Sequence, residues 1–410
     1  MQKYKIDSIS SYFNILEKNN ISDYIYRGQN EPYFSIQASG YRPYMGGWNS
    51  DMIYDMQHIH SSFYNKVIGQ LSIDEKKHFL AFCQHHGIPT NLIDVSYSPL
   101  VALFFACEGK SEIKFTLSEF IGKNSIDDFE KDTPYHSIFM HNLINKAKKP
   151  FYSPYAQVYM INKERLVDIT DLIIELKDKN LFEELLTDEV LALKLLNLVK
   201  KHFRNINITK LHEWLTNIMH TYVNLCEDDM FDEWDGKLYI LFKSLLEEKQ
   251  NNSPYKDIIK ILETSCYKSF LYKRIFKSDL SIESMDKDEL ASIYIAIMIE
   301  ILDTLKMCPR KTNVKLDIYF TYQPPQLFKR ISSQQSFFIY QSALYTNDGV
   351  YDYCELNVQS INPDILIEID NYKDILNNLS VMGIDNGSIY GDIDSIAKSV
   401  LLNSGKLLKV

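Results

Sequence analysis

Arginine is scarce in this chain of 410 residues: seven arginines stand against 37 lysines, and none lies between Arg42 and Arg165. An arginine placed early in the chain therefore draws notice. Cysteine is thin as well. The six cysteines, at 83, 107, 226, 266, 308 and 354, form no Cys-x-x-Cys pair. With no secretory signal in Met1–Asp7, they are expected to be reduced thiols of a cytoplasmic protein. No apolar run is long enough to span a bilayer. The most apolar, Leu290–Leu302, is punctuated by Ser292, Tyr294 and Glu300 and reads as a buried helix, so no membrane partner is expected. Positive charge is in deficit, 44 basic against 54 acidic residues for a net of −10. That balance disfavours broad neutralisation of duplex nucleic acid and leaves room only for a local basic cleft. The chain has no internal repeat and no low-complexity tract.

What is present is core material. At 45% hydrophobic and 13% aromatic residues, the composition excludes a disordered chain and a small disulfide scaffold. The length suggests two structural units. Helical spacing runs over Ile6–Lys18 and is followed by a β-type run at Tyr24–Arg27. A helix is expected over Asp51–Ile68. The capping box Ser72-Ile-Asp-Glu75 opens another, running to about His86 before Gly87 and Pro89. A strand over Asn91–Val95 leads to Ser98-Pro99, which suits an N-cap and first helical position, and to an apolar helix over Pro99–Glu108. Tyr155–Ile161 reads as a strand.

From about Thr170 to Met307 the pattern is almost wholly helical, with helices over Asp188–Phe203 and Asp257–Glu263 and from the capping box Asp286–Glu289 onward. The β signal returns with an alternating run at Leu316–Tyr322 and again at Ser336–Leu344 and Asp364–Ile369, with a last helix over Tyr372–Val381. The expected class is α+β, a mixed or antiparallel sheet core interrupted by a helical insertion. The divisions read as 1–169, 170–309 and 310–410, and the outer two must meet to form one sheet.

Several residues carry chemistry. Arg27 offers a planar fork of donors suited to a pyrophosphate or a carboxylate, and suits a structural ion pair equally well. Gly28 beside it lets a ligand approach the backbone. Ser98 reads as a helix cap, and a helix N-terminus is also an anion site; Ser96 is left open between holding a ligand and orienting a side chain. His85 and His86 are adjacent, so they cannot chelate from one helical face, and no Glu-x-x-His partner lies nearby. No metal site is expected; one histidine belongs to the core and the other, His85, to a cleft. Asp94 is expected in an ion pair near Arg27 or Thr90. The acidic stretch Glu227–Asp235 reads as a solvated face or as a docking point for a regulatory partner.

Taken together, Tyr26-Arg27-Gly28-Gln29, Ser39-Gly-Tyr-Arg42, Gln84-His-His-Gly-Ile-Pro-Thr90 with Leu92-Ile-Asp94, and Ser96-Tyr-Ser98-Pro99 resemble the FRG-domain family of bacterial and phage proteins. Arg330-Ile331, Gln334 to Phe338 and the stretch Leu379–Ala397, with Gly383-Ile384 and Asp392-Ile-Asp394, resemble that family's tail. The chain departs from the family at Asn91, where arginine is usual, at Val95, where tryptophan is usual, and at Ser336, where glycine is common.

The order Tyr-Arg-Gly, Ser-x-Ser and a late strand is also similar to ADP-ribosyltransferases of the arginine, serine, glutamate type. That resemblance implies NAD as co-substrate, bound by Arg27, Gly28, Gln29, Arg42, His85, Ser96 and Ser98. It implies Gln334, Gln335 or Glu355 at the reacting ribose, where active relatives carry a glutamate. The implied function is an NAD-consuming effector, a transferase or NAD glycohydrolase, acting on a protein or nucleic acid in bacterial or phage conflict. The alternative is a non-catalytic sensor of a nucleotide or phage component, with the helical insertion binding a partner or trigger.

Overall fold

Strands from the two ends of the chain interleave in one sheet. The computed structural model describes residues 1–30, 36–42, 53–110, 155–177, 179–227, 286–307, 312–327, 329–346 and 355–392, with 239, 242, 243, 395 and 396. The helix expected over Asp257–Glu263, the acidic stretch after Glu227, and residues 393, 394 and 397 of the tail lie outside those residues.

Before the helical stretch come β1 (Gln2–Ile6), β2 (Tyr24–Gln29), β3 (Leu92–Ser96), β4 (Ala156–Asn162) and β5 (Leu166–Asp168). After it come β6 (Asn313–Lys315), β7 (Tyr319–Tyr322), β8 (Ser336–Tyr340), β9 (Ala343–Thr346), β10 (Glu355–Ser360) and β11 (Ile365–Ile369). Eight strands form a mixed sheet in the order β1-β11-β4-β2-β3-β8-β7-β5, and β6-β10-β9 form a second sheet. The ends meet where β11 pairs antiparallel with β4, from Ile365 opposite Met160 to Ile369 opposite Ala156. They meet again where β8 pairs with β3, from Leu92 opposite Tyr340 to Ser96 opposite Ser336. The chain is an α+β protein.

The helices are α1 (Ile9–Lys18), α2 (Met56–Val67), α3 (Ile73–Lys77), α4 (Phe79–His85), α5 (Pro99–Cys107), α6 (Thr170–Leu176) and α7 (Leu181–Thr187). They continue with α8 (Glu189–Phe203), α9 (Ile208–Glu227), α10 (Lys287–Met307), α11 (Lys329–Ser333), α12 (Tyr372–Val381) and α13 (Asn386–Tyr390). Helix α5 is apolar around most of its circumference because it is enclosed, with Tyr12, Tyr26, Val158 and Leu379 in the same core cluster. Helix α10 is buried over most of its length, from Leu290 to Leu305, as its apolar sequence requires. The described helices between 170 and 307 do not keep a core to themselves: Leu172, Leu195, Trp214 and Ile297 share one with Leu92, Phe320, Phe338 and Tyr340 of the sheet. A further cluster, with Ile25, Ile93, Tyr319, Ile339 and Val358, joins the two sheets.

Three expectations are corrected. The helix from Ser72 to His86 is two helices, because the chain turns at His78 (φ −110°, ψ 39°). That turn buries the His78 ring, whose Nδ1 lies 2.9 Å from the Tyr322 hydroxyl. The single strand Ser336–Leu344 is β8 and β9 in different sheets. Gln341 stands at the crossing, its Oε1 accepting the Ala38 N–H at 2.7 Å and its Nε2 donating to the Gln359 carbonyl at 2.8 Å. Strand β7 does not alternate; all four of its residues are buried, since a core lies on each face. The capping boxes hold: Ser72 N–H donates to Glu75 at 2.7 Å, and Asp286 N–H to Glu289 at 2.8 Å.

Candidate functional site

Strand β2 pairs with β4 over six residues but with β3 only at Tyr26 opposite Ser96. Beyond that pair the two strands splay, leaving Arg27 to Gln29 on one side of a gap and Asp94 and Val95 on the other. A cavity of about 360 Å³ opens there. It lies within the usual range for a small-molecule site. Arg27, Gly28, Gln29, Arg42, His85, Ser96 and Gln334, read from the sequence as site residues, all line it. Ser98, Gln335 and Glu355 do not.

Arg27 is not the structural ion pair that its sequence context allowed. Its Nη1 donates to the Asp94 carbonyl at 2.8 Å, its Nε is enclosed without an acceptor, and it forms no ion pair among the described residues. The residue keeps partial exposure, yet the guanidinium pKa is lowered to about 10, first by lost hydration; Asp94 opposes the shift and Arg42 adds to it. An enclosed cation without a counter-ion is costly, and an anionic ligand offsets that cost. Arg42 is fixed by Nε and Nη2 donating to the Gln37 carbonyl at 3.0 and 2.8 Å.

Gly28 lines the cavity and also meets a packing requirement. A Cβ there would lie 1.9 Å from the Ala102 carbonyl oxygen and 2.6 Å from the Ala106 nitrogen. The glycine is what lets α5 pack on β2.

The Gln84-to-Asp94 stretch forms a hydrogen-bonded unit. The Thr90 hydroxyl donates to Gln84 Oε1, which turns the Gln84 amide to donate to Asp94 Oδ2 at 2.7 Å. Asp94 makes no ion pair among the described residues, contrary to the expectation for it. His85 faces the cavity and His86 is exposed against Phe82, ring centroids 4.3 Å apart, so neither is a core residue. Burial, then His86 and Arg330, hold the His85 pKa below its ordinary value, keeping the ring neutral at neutral pH.

The serines are structural in their contacts. Ser96 Oγ donates to the Gln334 carbonyl at 2.7 Å and accepts the Ser98 N–H at 2.9 Å, tying β3 to the α11–β8 turn. Ser98 Oγ caps α5 by accepting the Val101 N–H at 3.4 Å. Gln334 is buried, and its Nε2 lies 3.3 Å from the Ile389 carbonyl, to which it donates. Gln335 occupies the left-handed region (φ 46°), and its carbonyl accepts the Tyr97 N–H at 3.1 Å. Glu355 opens β10 in the second sheet.

The sequence reading left out Arg330, Glu108, Tyr390 and Phe105 as site residues, and all four line the cavity. Arg330 stacks on the Tyr390 ring, 4.6 Å from its centroid, and forms no ion pair among the described residues. The Tyr390 hydroxyl donates to Glu108 Oε2 at 2.7 Å; burial, then that bond, raises its pKa, so it remains the donor. Three of the chain's seven arginines thus meet at one cavity with two carboxylates. Arginine scarcity was a usable signal for Arg330. Nothing local to Glu108 or Tyr390 marked them.

Residues 22–114 match the family model of the FRG domain. The chain carries an FRG domain. Its matched stretch supplies Arg27, Arg42, Gln84, Asp94 and Glu108; Arg330, Gln334 and Tyr390 come from beyond the FRG match. No curated protein and no solved structure matches the chain. Among the described residues no cluster of three metal-binding side chains occurs, and no helix is long and apolar enough to cross a membrane.

Proposed function

We propose that the cavity binds NAD and that the protein transfers ADP-ribose from it to a protein or nucleic acid, or to water, as an effector in bacterial or phage conflict. One observation carries this reading. Arg27 and Arg330, neither ion-paired among the described residues, face a cavity that also holds the carboxylates Asp94 and Glu108 and the rings of Phe105 and Tyr390. Arginine forks suit a pyrophosphate, and the rings suit the flat ends of a dinucleotide.

In the proposed reaction the bond from the ribose to the nicotinamide nitrogen breaks, and its electron pair leaves with nicotinamide. The ribose carbon becomes oxocarbenium-like, and a carboxylate held beside it lowers the energy of that charge. Asp94 is the better candidate of the two, because Gln84 fixes its orientation while Glu108 is occupied by the Tyr390 hydroxyl. The acceptor's nucleophilic atom then attacks the ribose carbon and loses its proton to the neutral His85. Asp94 takes the role that the sequence had offered to Gln334, Gln335 and Glu355.

A second reading has its own support. Gln334, in the order expected for the catalytic glutamate, is a buried amide bonded to the Ile389 carbonyl. That favours a sensor that binds a nucleotide without turning it over, with the helical stretch relaying the signal to a partner or trigger.

The test is purified protein with NAD, followed for nicotinamide release, beside Arg27→Ala and Asp94→Asn. Release lost in both variants supports the transferase. NAD that raises the melting temperature without turnover supports the sensor. NAD that neither binds nor reacts defeats both readings of this ligand.

A further inference from the structure

A second cavity of about 450 Å³ lies against α2, α7 and the strands β8 and β9, and shares no lining residue with the first. No residue considered so far as a site residue faces it. Its walls carry four tyrosines, Tyr41, Tyr54, Tyr340 and Tyr345, with Met56 and Leu80 beside them. Tyr41 is only 2% exposed, and burial holds its hydroxyl proton well above the usual range, so it is a neutral hydrogen-bonding group.

Three carboxamides, Gln57, Asn91 and Asn180, also line the space, and each carries both donors and an acceptor. Asn180 Oδ1 is taken by the Phe182 N–H at 3.1 Å, which leaves its amide hydrogens for another partner.

The charge lining differs in kind from that of the first cavity. Two acids, Asp55 and Glu183, face two lysines, Lys177 and Lys179, and no arginine lines the space. Asp55 already accepts the His58 N–H at 3.0 Å as a helix cap, and Lys179 is paired with Glu184 at 2.8 Å. Glu183 lies near the Tyr41 hydroxyl and makes no ion pair among the described residues. The first cavity sets three arginines against two carboxylates and so favours an anion. This one balances its charges and presents aromatic walls, carboxamides and one acceptor carboxylate.

We propose that the second cavity binds an uncharged planar heteroaromatic group, a nucleobase or nucleoside without phosphates, held between tyrosine rings with its edge read by Gln57, Asn91 and Glu183. Ring stacking supplies affinity whatever the base, and the two-way carboxamides match the mixed donors and acceptors of a base edge. An acceptor carboxylate suits an exocyclic amine on that edge. The two cavities are neighbours along the chain: Tyr41 lines one and Arg42 the other, and Leu80 and Ala81 divide in the same way.

The test uses the full chain and calorimetric titration with adenosine, guanosine, cytidine and uridine, each beside its 5′-monophosphate. At least one nucleoside should bind, and in the Arg27→Ala background, where anion binding at the first cavity is weakened, its monophosphate should bind no more tightly. Tyr345→Ala should weaken that binding by about tenfold or more, the scale of one lost base stack. Glu183→Gln, which keeps the shape of the side chain, should weaken it for bases with an exocyclic amine and leave uridine unaffected. Arg27→Ala should leave the four nucleoside titrations unchanged. The proposal is overturned if no nucleoside binds at millimolar concentration or if only the monophosphates bind. It also falls if Arg27→Ala abolishes binding while Tyr345→Ala and Tyr54→Ala do not.

Discussion

Gln84 holds Asp94: its amide donates to the carboxylate at 2.7 Å while its own carbonyl takes the Thr90 hydroxyl, which also accepts the Leu92 N–H at 3.1 Å. The flip of Gln84 is thereby fixed, and with it the orientation of the acid at the gap between β2 and β3. Gln84→Leu should lower nicotinamide release by roughly tenfold or more, the scale of one charge-assisted hydrogen bond, without unfolding the protein. Thr90→Val should also destabilise the fold by about 1–3 kcal/mol, because the Leu92 N–H loses its acceptor. Thr90→Ser keeps both bonds and should behave as the parent. Turnover and melting temperature, measured on the three variants together, check the relay; equal turnover in Gln84→Leu and the parent would sink it.

Arg27 sits at a cost in stability that the proposed anionic ligand would offset. Its cation is enclosed, its Nε has no acceptor, and lost hydration lowers its pKa to about 10. Arg27→Met should therefore melt no lower than the parent, since it removes an uncompensated charge at the loss of a single bond to a carbonyl. The same variant should lose at least about tenfold in affinity for NAD or ADP-ribose. Arg27→Lys, which lacks the planar fork, should restore little of that affinity. A marked fall in melting temperature for Arg27→Met would instead assign the arginine to the fold.

Gly28→Ala should be among the most damaging single-atom additions in the chain, since the new Cβ would sit 1.9 Å from backbone oxygen and could not be relieved by a side-chain rotation. A cost at or above the usual overpacking range of about 1–3 kcal/mol is expected. Gly69→Ala is the control. A Cβ at Gly69 meets nothing within 4 Å, and its φ is not positive, so the change should be neutral or stabilise by up to about 1 kcal/mol. Chemical denaturation of both variants separates packing at β2 and α5 from a general effect of glycine loss.

The legible parts of this molecule are those where local chemistry and tertiary structure agree. Ser72 and Asp286 mark their helices because a capping box needs only four consecutive residues. The strand pairings were visible only as a requirement that the two ends meet, since period and propensity carry no register. Strands β1 and β10 carry weak local signals: both are polar along much of one face, and β1 is held by β11 from the other end of the chain while β10 is held by β9 and β6. Motif residues at the site were legible because they cluster in sequence between Tyr26 and Ser96. Glu108 and Tyr390, 282 positions apart, are joined only by the fold. The places of Gly28 and Ser96 also answer to tertiary contacts that no local pattern carries: the packing of α5 on β2, and the tie from β3 to the turn before β8.

Asp317 gives the helical stretch a pH signature. Its carboxylate accepts the Asn217 amide at 3.0 Å and its carbonyl accepts Arg165 Nε at 2.8 Å, joining α9 to the start of β7. Burial raises its pKa to about 6; Asn217 and Arg165 oppose that shift and Glu213 adds to it. The folded protein therefore holds this proton more tightly than the unfolded chain, whose value is about 3.9. The stabilising contribution is complete below that unfolded value, declines as pH rises towards about 6, and is gone above it. A shift of this size corresponds to roughly 3 kcal/mol, and solvent screening at a partly exposed site reduces it to about half. Asp317→Asn removes the titration while keeping an acceptor for Asn217. The variant should match the parent near about pH 4 and exceed its stability by about 1–2 kcal/mol near neutral pH. Denaturant titrations across that interval decide the matter, and parallel curves for the two proteins would mean that Asp317 ionises in the folded state at no cost.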